Sequence, residues 1–497
     1  MRRAAALVTL LALAGCNSGD EDGGSGREGG SVTVGLAVAP DSMDPATASS
    51  PEATQALWLA HPPLLTYARR SGGGGTRIVP GLAEKVPEPS DSGLTWALTL
   101  RKGLLYSNGR KVRAADFERG LRRARALNPR VRQALRQVDV ISSDERTRSI
   151  RIILKRPDPL LPYKLVNIWS TPVPRGTPTR ALASVPGVGP YAVSRRDRGS
   201  AYVLTRQRDF QLPGVPRGNV DVITAKVVPN VAARTSRTIA GTLDAVQGEP
   251  PATRLVEIRS KYKARYSEHS TLALRFARLD LATRPFRDAD ARRAVSFALD
   301  ERTLSRLEGG FLTPACNAIP QGVPGFEAPD PCPYGERQGN ADLVEASELV
   351  EKSLDAGARV LVDGGDGPRG AALARYGVET LDKIGLRARR ARTPRERRRA
   401  QLQFATRMPA IPHPARYLEV ADDALLASRV SLLELAGPPA EEAGRWAELD
   451  RDVVSSALLA PYGVRTTGVL VSERLDAKNC LRFHPVHGLD LSSLCVR

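Results

Sequence analysis

The stretch RVLVDGGDGPRGAALARYGVETLDKIGLRARR, residues 359–390, decides the fold class. Val360, Leu361 and Val362 form a short apolar run closed by glycine, which reads as a buried strand. Residues 368–383 then read as a helix opened by Pro368, and residues 386–392 as a second strand. A helix joining two strands of one sheet makes them parallel, with a right-handed crossover. The preceding residues, 342–355, read as another helix that runs to Gly357. The chain is α/β here.

The turn in this stretch admits a second meaning. Gly365, Gly367 and Gly370 spell G-x-G-x-x-G between strand and helix, the placement of a dinucleotide-binding loop. Such glycines let backbone approach a pyrophosphate at the helix N-terminus. An acid should then close the next strand and bind a ribose hydroxyl. Arg389, Arg390 and Arg392 stand there instead and suit only a 2′-phosphate, which would make the chain an NADP enzyme. Glycines and Pro368 are also what any tight strand-to-helix turn requires, and that reading is preferred. His484 and His487 are spaced as metal ligands can be, but Pro485 and Gly488 make a turn of them and no third ligand stands nearby. No G-x-S-x-G and no phosphate-loop lysine occurs. The expectation is a protein that is no enzyme and uses no cofactor and no metal.

Working outward, Val32, Val34, Leu36 and Val38 alternate as in a strand, and so do Trp96, Leu98 and Leu100. Asn108-Gly109 marks a turn. Residues 113–127 read as a helix with Phe117, Leu121 and Ala124 on one face. Residues 141–154 read as a further strand, and prolines between Pro172 and Pro178 mark a connection. Residues 290–310 read as one helix ended by Gly309-Gly310.

The net charge is +19 and the hydrophobic share 41%, with only 5% aromatic residues. The charge is spread along the chain and no nucleic-acid-binding motif accompanies it, so no nucleic acid is expected as a partner. Four of the five cysteines fall into two close pairs, Cys316/Cys332 and Cys480/Cys495. Three disulfide connectivities are open; local pairing would staple one loop at each pair. A four-cysteine zinc site would call for C-x2-C spacing, which is absent.

The start of the chain has its own logic. Arg2 and Arg3 precede an apolar run, residues 4–14, too short for the roughly 20 residues of a membrane span. It reads as a signal peptide, residues 1–15. Leu13-Ala14-Gly15-Cys16 resembles the lipobox of bacterial lipoproteins. That resemblance implies a diacylglyceryl thioether on Cys16, and a protein held at the outer face of the cell membrane by this anchor alone. Residues 17–30 hold six glycines and four acids with nothing apolar to bury. They should form a disordered tether of roughly 20 Å.

A series of stretches is distinctive in its order: APDSMDPA (39–46), GLAEKVPEPSDSGLTWALTLRKGLLYSNGRKVRAADFERGLRRA (81–124), GVGPYAV (187–193), GTLDAV (241–246), RPFRDADARRAVSFALDE (284–301), CNAIPQGVPGFEAPDPCPY (316–334) and HPVHGLDLSSL (484–494). Together they resemble the family 5 extracellular solute-binding proteins, the oligopeptide, dipeptide and nickel receptors of ABC importers. The resemblance implies an α/β, two-lobed periplasmic-binding-protein-like fold (type II, cluster C) with an extra small domain. Lobe I would comprise residues 31–56, 182–250 and 466–497, the extra domain 57–181, and lobe II 251–465. It further implies a loop stapled by Cys316 and Cys332, and a Cys480–Cys495 bridge holding the C-terminal strand to lobe I.

The same resemblance implies a monomer that captures a peptide-like or other small solute between its lobes and presents it to an ABC permease complex. The alternative is a non-transporting receptor or scaffold that binds another envelope protein. Ligand-binding candidates are Ser42, Met43 and Asp44 after the first strand, Trp58 and His61, Trp169, Arg278, and His413 with Tyr417. Peptide receptors of the family carry a Trp-x-x-Asp-Tyr-type segment whose aspartate meets the peptide ammonium. The counterpart here, RMPAIPHPARYL (407–418), puts Arg407 at the tryptophan and Ala410 at the aspartate. An ammonium buried there would lack a carboxylate, which disfavours free peptide N-termini.

Overall fold

The structure is a computed structural model and describes residues 28–194, 201–335, 340–419 and 421–497. The signal peptide, Cys16 and most of the tether lie outside the described residues. Among the described residues, eleven strands join in one ladder. Its main path runs Arg387–Arg390, Arg359–Asp363, Leu402–Arg407, Tyr266–Leu279, Ala460–Val471, Ala245–Gln247, Ser31–Leu36, Val222–Val227, Tyr202–Arg206, Tyr191–Ser194. Leu312–Thr313 pairs beside Ala460–Val471.

Arg359–Asp363 and Arg387–Arg390 are parallel, with the helix Gly367–Lys383 between them, as the sequence requires. The glycines of the turn are steric. Gly365 and Gly367 have φ of +88° and +73°, and a Cβ on Gly370 would lie 2.2 Å from the Gly365 carbonyl oxygen. Asp366 stands at the N-cap position of this helix with its side chain turned to Arg397, with which it pairs, while Arg397 Nε lies 3.8 Å from Asp363 Oδ1. Two carboxylates thus flank the turn, which disfavours an anion there.

Apolar cores lie along the ladder. At one end Val32, Val34, Ile223 and Ala225 pack under the helix Pro51–Ala60. At the other, Val360, Val362, Leu373, Leu381 and Phe404 form a second core. Each buried side chain of this size stabilises by about 1.5–3 kcal/mol. Two long strands join the ends. Ala460 and Tyr462 belong to the second core, whereas Val469 and Val471, later in the same strand, belong to the first. Its partner Tyr266–Leu279 is bulged: Ser270 pairs with Thr466, but Leu274 pairs with Val464. A bulge bends a strand and raises its local twist, so the ladder turns at the crossing.

A separate antiparallel sheet, Pro89–Ser90, Thr95–Thr99, Ser149–Leu154, Val138–Asp144, packs on the helix Ala114–Leu127. Trp96, Leu98, Ile150 and Ile152 meet Phe117, Leu121 and Ala124, the alternating and helical faces read from the sequence.

Two elements differ from expectation. Residues 141–154 are not one strand but the larger part of a hairpin, whose turn includes Arg148 at φ +53°. Residues 290–310 are broken into Ala289–Ala298 and Glu301–Leu307, because Asp300 starts a new helix by accepting from the Thr303 amide at 2.6 Å. The cysteines pair locally, Cys316 with Cys332 and Cys480 with Cys495, at Cα separations of 6.0 and 5.6 Å. No described helix is long and apolar enough to cross a membrane.

Candidate functional site

A cleft of about 850 Å³ opens between the small-sheet domain and the far end of the long ladder. This lies within the usual range of a small-molecule site, about 300–1,000 Å³. One wall is the helix Pro129–Ala134, the loop that follows it, and residues 157–169. That helix starts where Asn128 accepts from the Arg130 amide at 2.9 Å and Pro129 takes the first helical position. Val131 turns inward, which leaves Arg130 and Gln133 exposed. The other wall is residues 407–411, Arg416, and the end of the helix Ala424–Ala436. His413 and Tyr163, one from each side, meet edge to face with ring centroids 5.2 Å apart. A smaller hollow beside Cys316–Cys332 holds about 30 Å³, enough for water but not for a solute.

The wall is unevenly charged. Lys164 pairs with Asp158, and Arg416 pairs with Glu434 and, at 2.8 Å, with Glu419. Arg407 donates from Nε to the Arg416 carbonyl at 2.6 Å. Among the described residues, Arg130, Arg136 and Arg407 have no ion-pair partner.

Of the ligand-binding candidates read from the sequence, Trp169 lines this cleft; Arg407 and Ala410, set against the family's peptide-anchor segment, line it too, and the other candidates are not among its lining residues. Asp44 is fully buried and clamped by Arg123, with Oδ1 and Oδ2 taking the two terminal nitrogens at 2.8 and 2.6 Å. Burial alone would raise its pKa, but the Arg123 hydrogen bonds and the Ala46 and Leu182 amides outweigh this and hold it below the usual value. Met43 is buried beside it, and Ser42 spends its hydroxyl on Thr47 at 2.7 Å and on the Asp44 amide. These contacts tie the loop internally, while Ala48 and Ser49 farther along it line the cleft.

Trp58 is likewise interior. Its Nε1 donates to Thr66 at 3.1 Å, the Arg69 guanidinium lies 3.8 Å from its ring centre, and His487 stacks at 4.2 Å. His61 is fully buried, with both ring nitrogens unpartnered, and burial lowers its pKa to about 4. Tyr417 is buried and donates to the Leu272 carbonyl at 2.9 Å. His413 is buried between Tyr163 and Trp446, where burial and then Arg416 lower its pKa to about 3. Arg278 reaches Gln403 on the neighbouring strand at 3.4 Å, away from the cleft. His484 is buried and His487 half-buried, ring to ring at 4.9 Å. The wall arginines Arg130 and Arg136 escape a sequence reading. Their only sign is the run NPRVRQALRQ, in which arginines alternate with the buried Val131 and Leu135.

Residues 77–409 match the family described as bacterial extracellular solute-binding proteins, family 5 Middle. Over 308 residues the chain is 21% identical to the probable D,D-dipeptide-binding periplasmic protein DdpA of Escherichia coli (strain K12), covering 60% of this chain and 58% of that protein. Over 316 residues it is 22% identical to the glutathione-binding protein GsiB of Salmonella choleraesuis (strain SC-B67), with the same shares, 60% and 58%. These alignments therefore span less than two thirds of the relatives' length. Among solved structures, clavulanic acid biosynthesis oligopeptide binding protein 2 superposes with a TM-score of 0.80 at 22% identity, covering 95% of this chain and 96% of the other. The periplasmic murein tripeptide binding protein MppA, in its unliganded open form, gives 0.79 at 16% identity, covering 95% and 99%. The fold is thus that of the two-lobed binding proteins.

Proposed function

Because the chain belongs to the family 5 extracellular solute-binding proteins, we propose that it is a lipid-anchored receptor that captures a peptide-like solute and presents it to an ABC permease. The observation that carries this reading is the cleft, walled by the small-sheet domain on one side and by residues 407–411, Arg416 and the helix Ala424–Ala436 on the other. A solute touching both walls binds the closed arrangement better than the open one and shifts the population by that difference. No bond is made or broken. The proposed division is residues 31–56, 182–250 and 466–497 for lobe I, 57–181 for the extra domain and 251–465 for lobe II. The cores support it, since the first draws mainly on lobe I and the second wholly on lobe II. Cys16 is proposed as the anchor, residues 17–30 as the tether, and the receptor as a monomer.

The test is thermal unfolding of the full chain with pooled short peptides, together with small-angle scattering. Capture raises Tm and shrinks the radius of gyration; flat curves with every pool refute it. Separately, Cys16→Ala should release the protein from membranes.

A second reading, a non-transporting scaffold, draws on the helix Ala424–Ala436. Leu425, Leu432 and Leu435 are 71, 66 and 63% exposed there. Surface leucines so grouped fit a protein partner. Pull-down of an envelope protein, lost on Leu432→Glu while peptide pools stay inert, would favour it.

A further inference from the structure

The inference rests on the capture reading and concerns what the cleft holds. Five cations line it, Arg130, Arg136, Lys164, Arg407 and Arg416, against two carboxylates, Asp158 and Glu434. Both carboxylates are already paired, Asp158 with Lys164 and Glu434 with Arg416. A ligand ammonium would find no unpaired carboxylate on the wall. Three guanidinium groups are in the opposite state. Arg130, Arg136 and Arg407 form no ion pair; Glu419, already paired with Arg416, lies within reach of the Arg407 charge, and Arg407 is hydrogen-bonded at Nε, which leaves both its terminal nitrogens available.

Guanidinium forms short, paired hydrogen bonds with carboxylate oxygens, and a cleft lined by one sign of charge concentrates the opposite sign. Beside uncharged polar residues, the wall also presents an apolar set: Val131, Leu160, Trp169, Met408, Ile411 and Leu435. Met408 and Leu435 are 59 and 63% exposed, apolar surface that a bound body would cover. We infer that the occupant is an amphipathic anion, an apolar body bearing a free carboxylate and no ammonium in need of a partner.

The experiment uses the full chain and random tripeptide pools in four end-states: both ends free, N-acetylated, C-amidated, and blocked at both ends. The two free-acid pools should raise Tm, and the tightest binder isolated from them should lose about tenfold in affinity on amidation but little on acetylation. Arg130→Gln and Arg407→Gln should each weaken it by about tenfold and flatten its salt dependence, and for the exposed Arg130 the Tm of the ligand-free protein should be unchanged. Amidated pools binding as well as free acids, or acetylation abolishing binding, would overturn the inference while leaving capture intact. Stabilisation by none of the four pools would overturn capture itself, and this inference with it.

Discussion

Arg369 Nη2 lies 2.8 Å from Glu249 Oε2, joining the helix behind the glycine-rich turn to the segment that leaves the strand Ala245–Gln247. Arg465, midway along Ala460–Val471, holds the same carboxylate. Beneath them Glu308 is fully buried and accepts from Arg275 Nε at 2.7 Å, with Arg369 and Arg465 at 3.8 and 3.6 Å from its other oxygen. Arginines therefore converge on two carboxylates where the chain passes between the cores. The turn that spells a nucleotide motif places Arg369 in this network.

The Arg369–Glu249 pair is about one third exposed on each side, so its worth should be modest. A double-mutant cycle with Arg369→Ala and Glu249→Gln in urea should give a coupling of about 0.2–1 kcal/mol that shrinks in high salt. A coupling indifferent to salt would contradict a solvent-screened pair.

The Arg123–Asp44 pair should behave differently, since both side chains are sealed from water. Arg123→Met leaves a buried carboxylate without its cation and should cost about 3–5 kcal/mol, with the Asp44→Asn/Arg123→Met double variant recovering part of it. Denaturant titration measures the loss. Solute affinity should move far less than stability, because Asp44 is not on the cleft wall; a matching collapse in affinity at unchanged stability would restore it as a ligand contact.

Acid should unfold this protein through its histidines. Burial holds His61, His413 and His484 neutral down to about 4, 3 and 4, and lowers His269 and His487 as well. The unfolded chain protonates near 6.5, so between 6.5 and 4 it binds more protons than the folded chain. Stability is whole above 6.5 and drains as pH falls toward 4, by at most about 1.4 kcal/mol per pH unit for each histidine. Asp450 opposes this. Burial raises it to about 7 despite the Ala318 and Ile319 amides, and its contribution falls as pH rises from 4 to 7. The histidines outnumber it. Urea midpoints should drop between pH 7 and pH 5, and His484→Gln should flatten the slope; a midpoint constant over that range would refute the argument.

Cys480 and Cys495 close a 15-residue separation and are both buried. Replacing the pair with alanine should cost about 3 kcal/mol by loop entropy. The tail it secures also pairs at Leu475 with Val496, and the Arg497 amide donates to the Arg474 carbonyl at 2.9 Å. Loss of stability without loss of the first core's near-ultraviolet signal would show that these contacts suffice.

What the sequence revealed follows from distance along the chain. The parallel pair at 359–390 is legible because run, turn and helix are contiguous, so local pattern alone specifies them. The hairpin at 138–154 is obscured because its turn, Glu145-Arg146-Thr147-Arg148, holds no glycine, asparagine or proline. The break at Asp300 is a cap set inside an otherwise unbroken helical pattern. The Asp44–Arg123 clamp is invisible in the sequence because Arg123 lies 79 residues on and is one arginine among many. Arg130 and Arg407 come from different bodies, and no local signal shows that they share a cleft.

The offset in Tyr266–Leu279 spans four positions from Ser270 to Leu274, against two positions from Thr466 to Val464 on its partner. Surplus chain is thus built into one side of the crossing. Drawing the walls together need not tear a hydrogen-bond rung, because surplus chain can absorb the rotation. The grip of a solute would be registered as torque along two threads common to both halves rather than as sliding between separate parts.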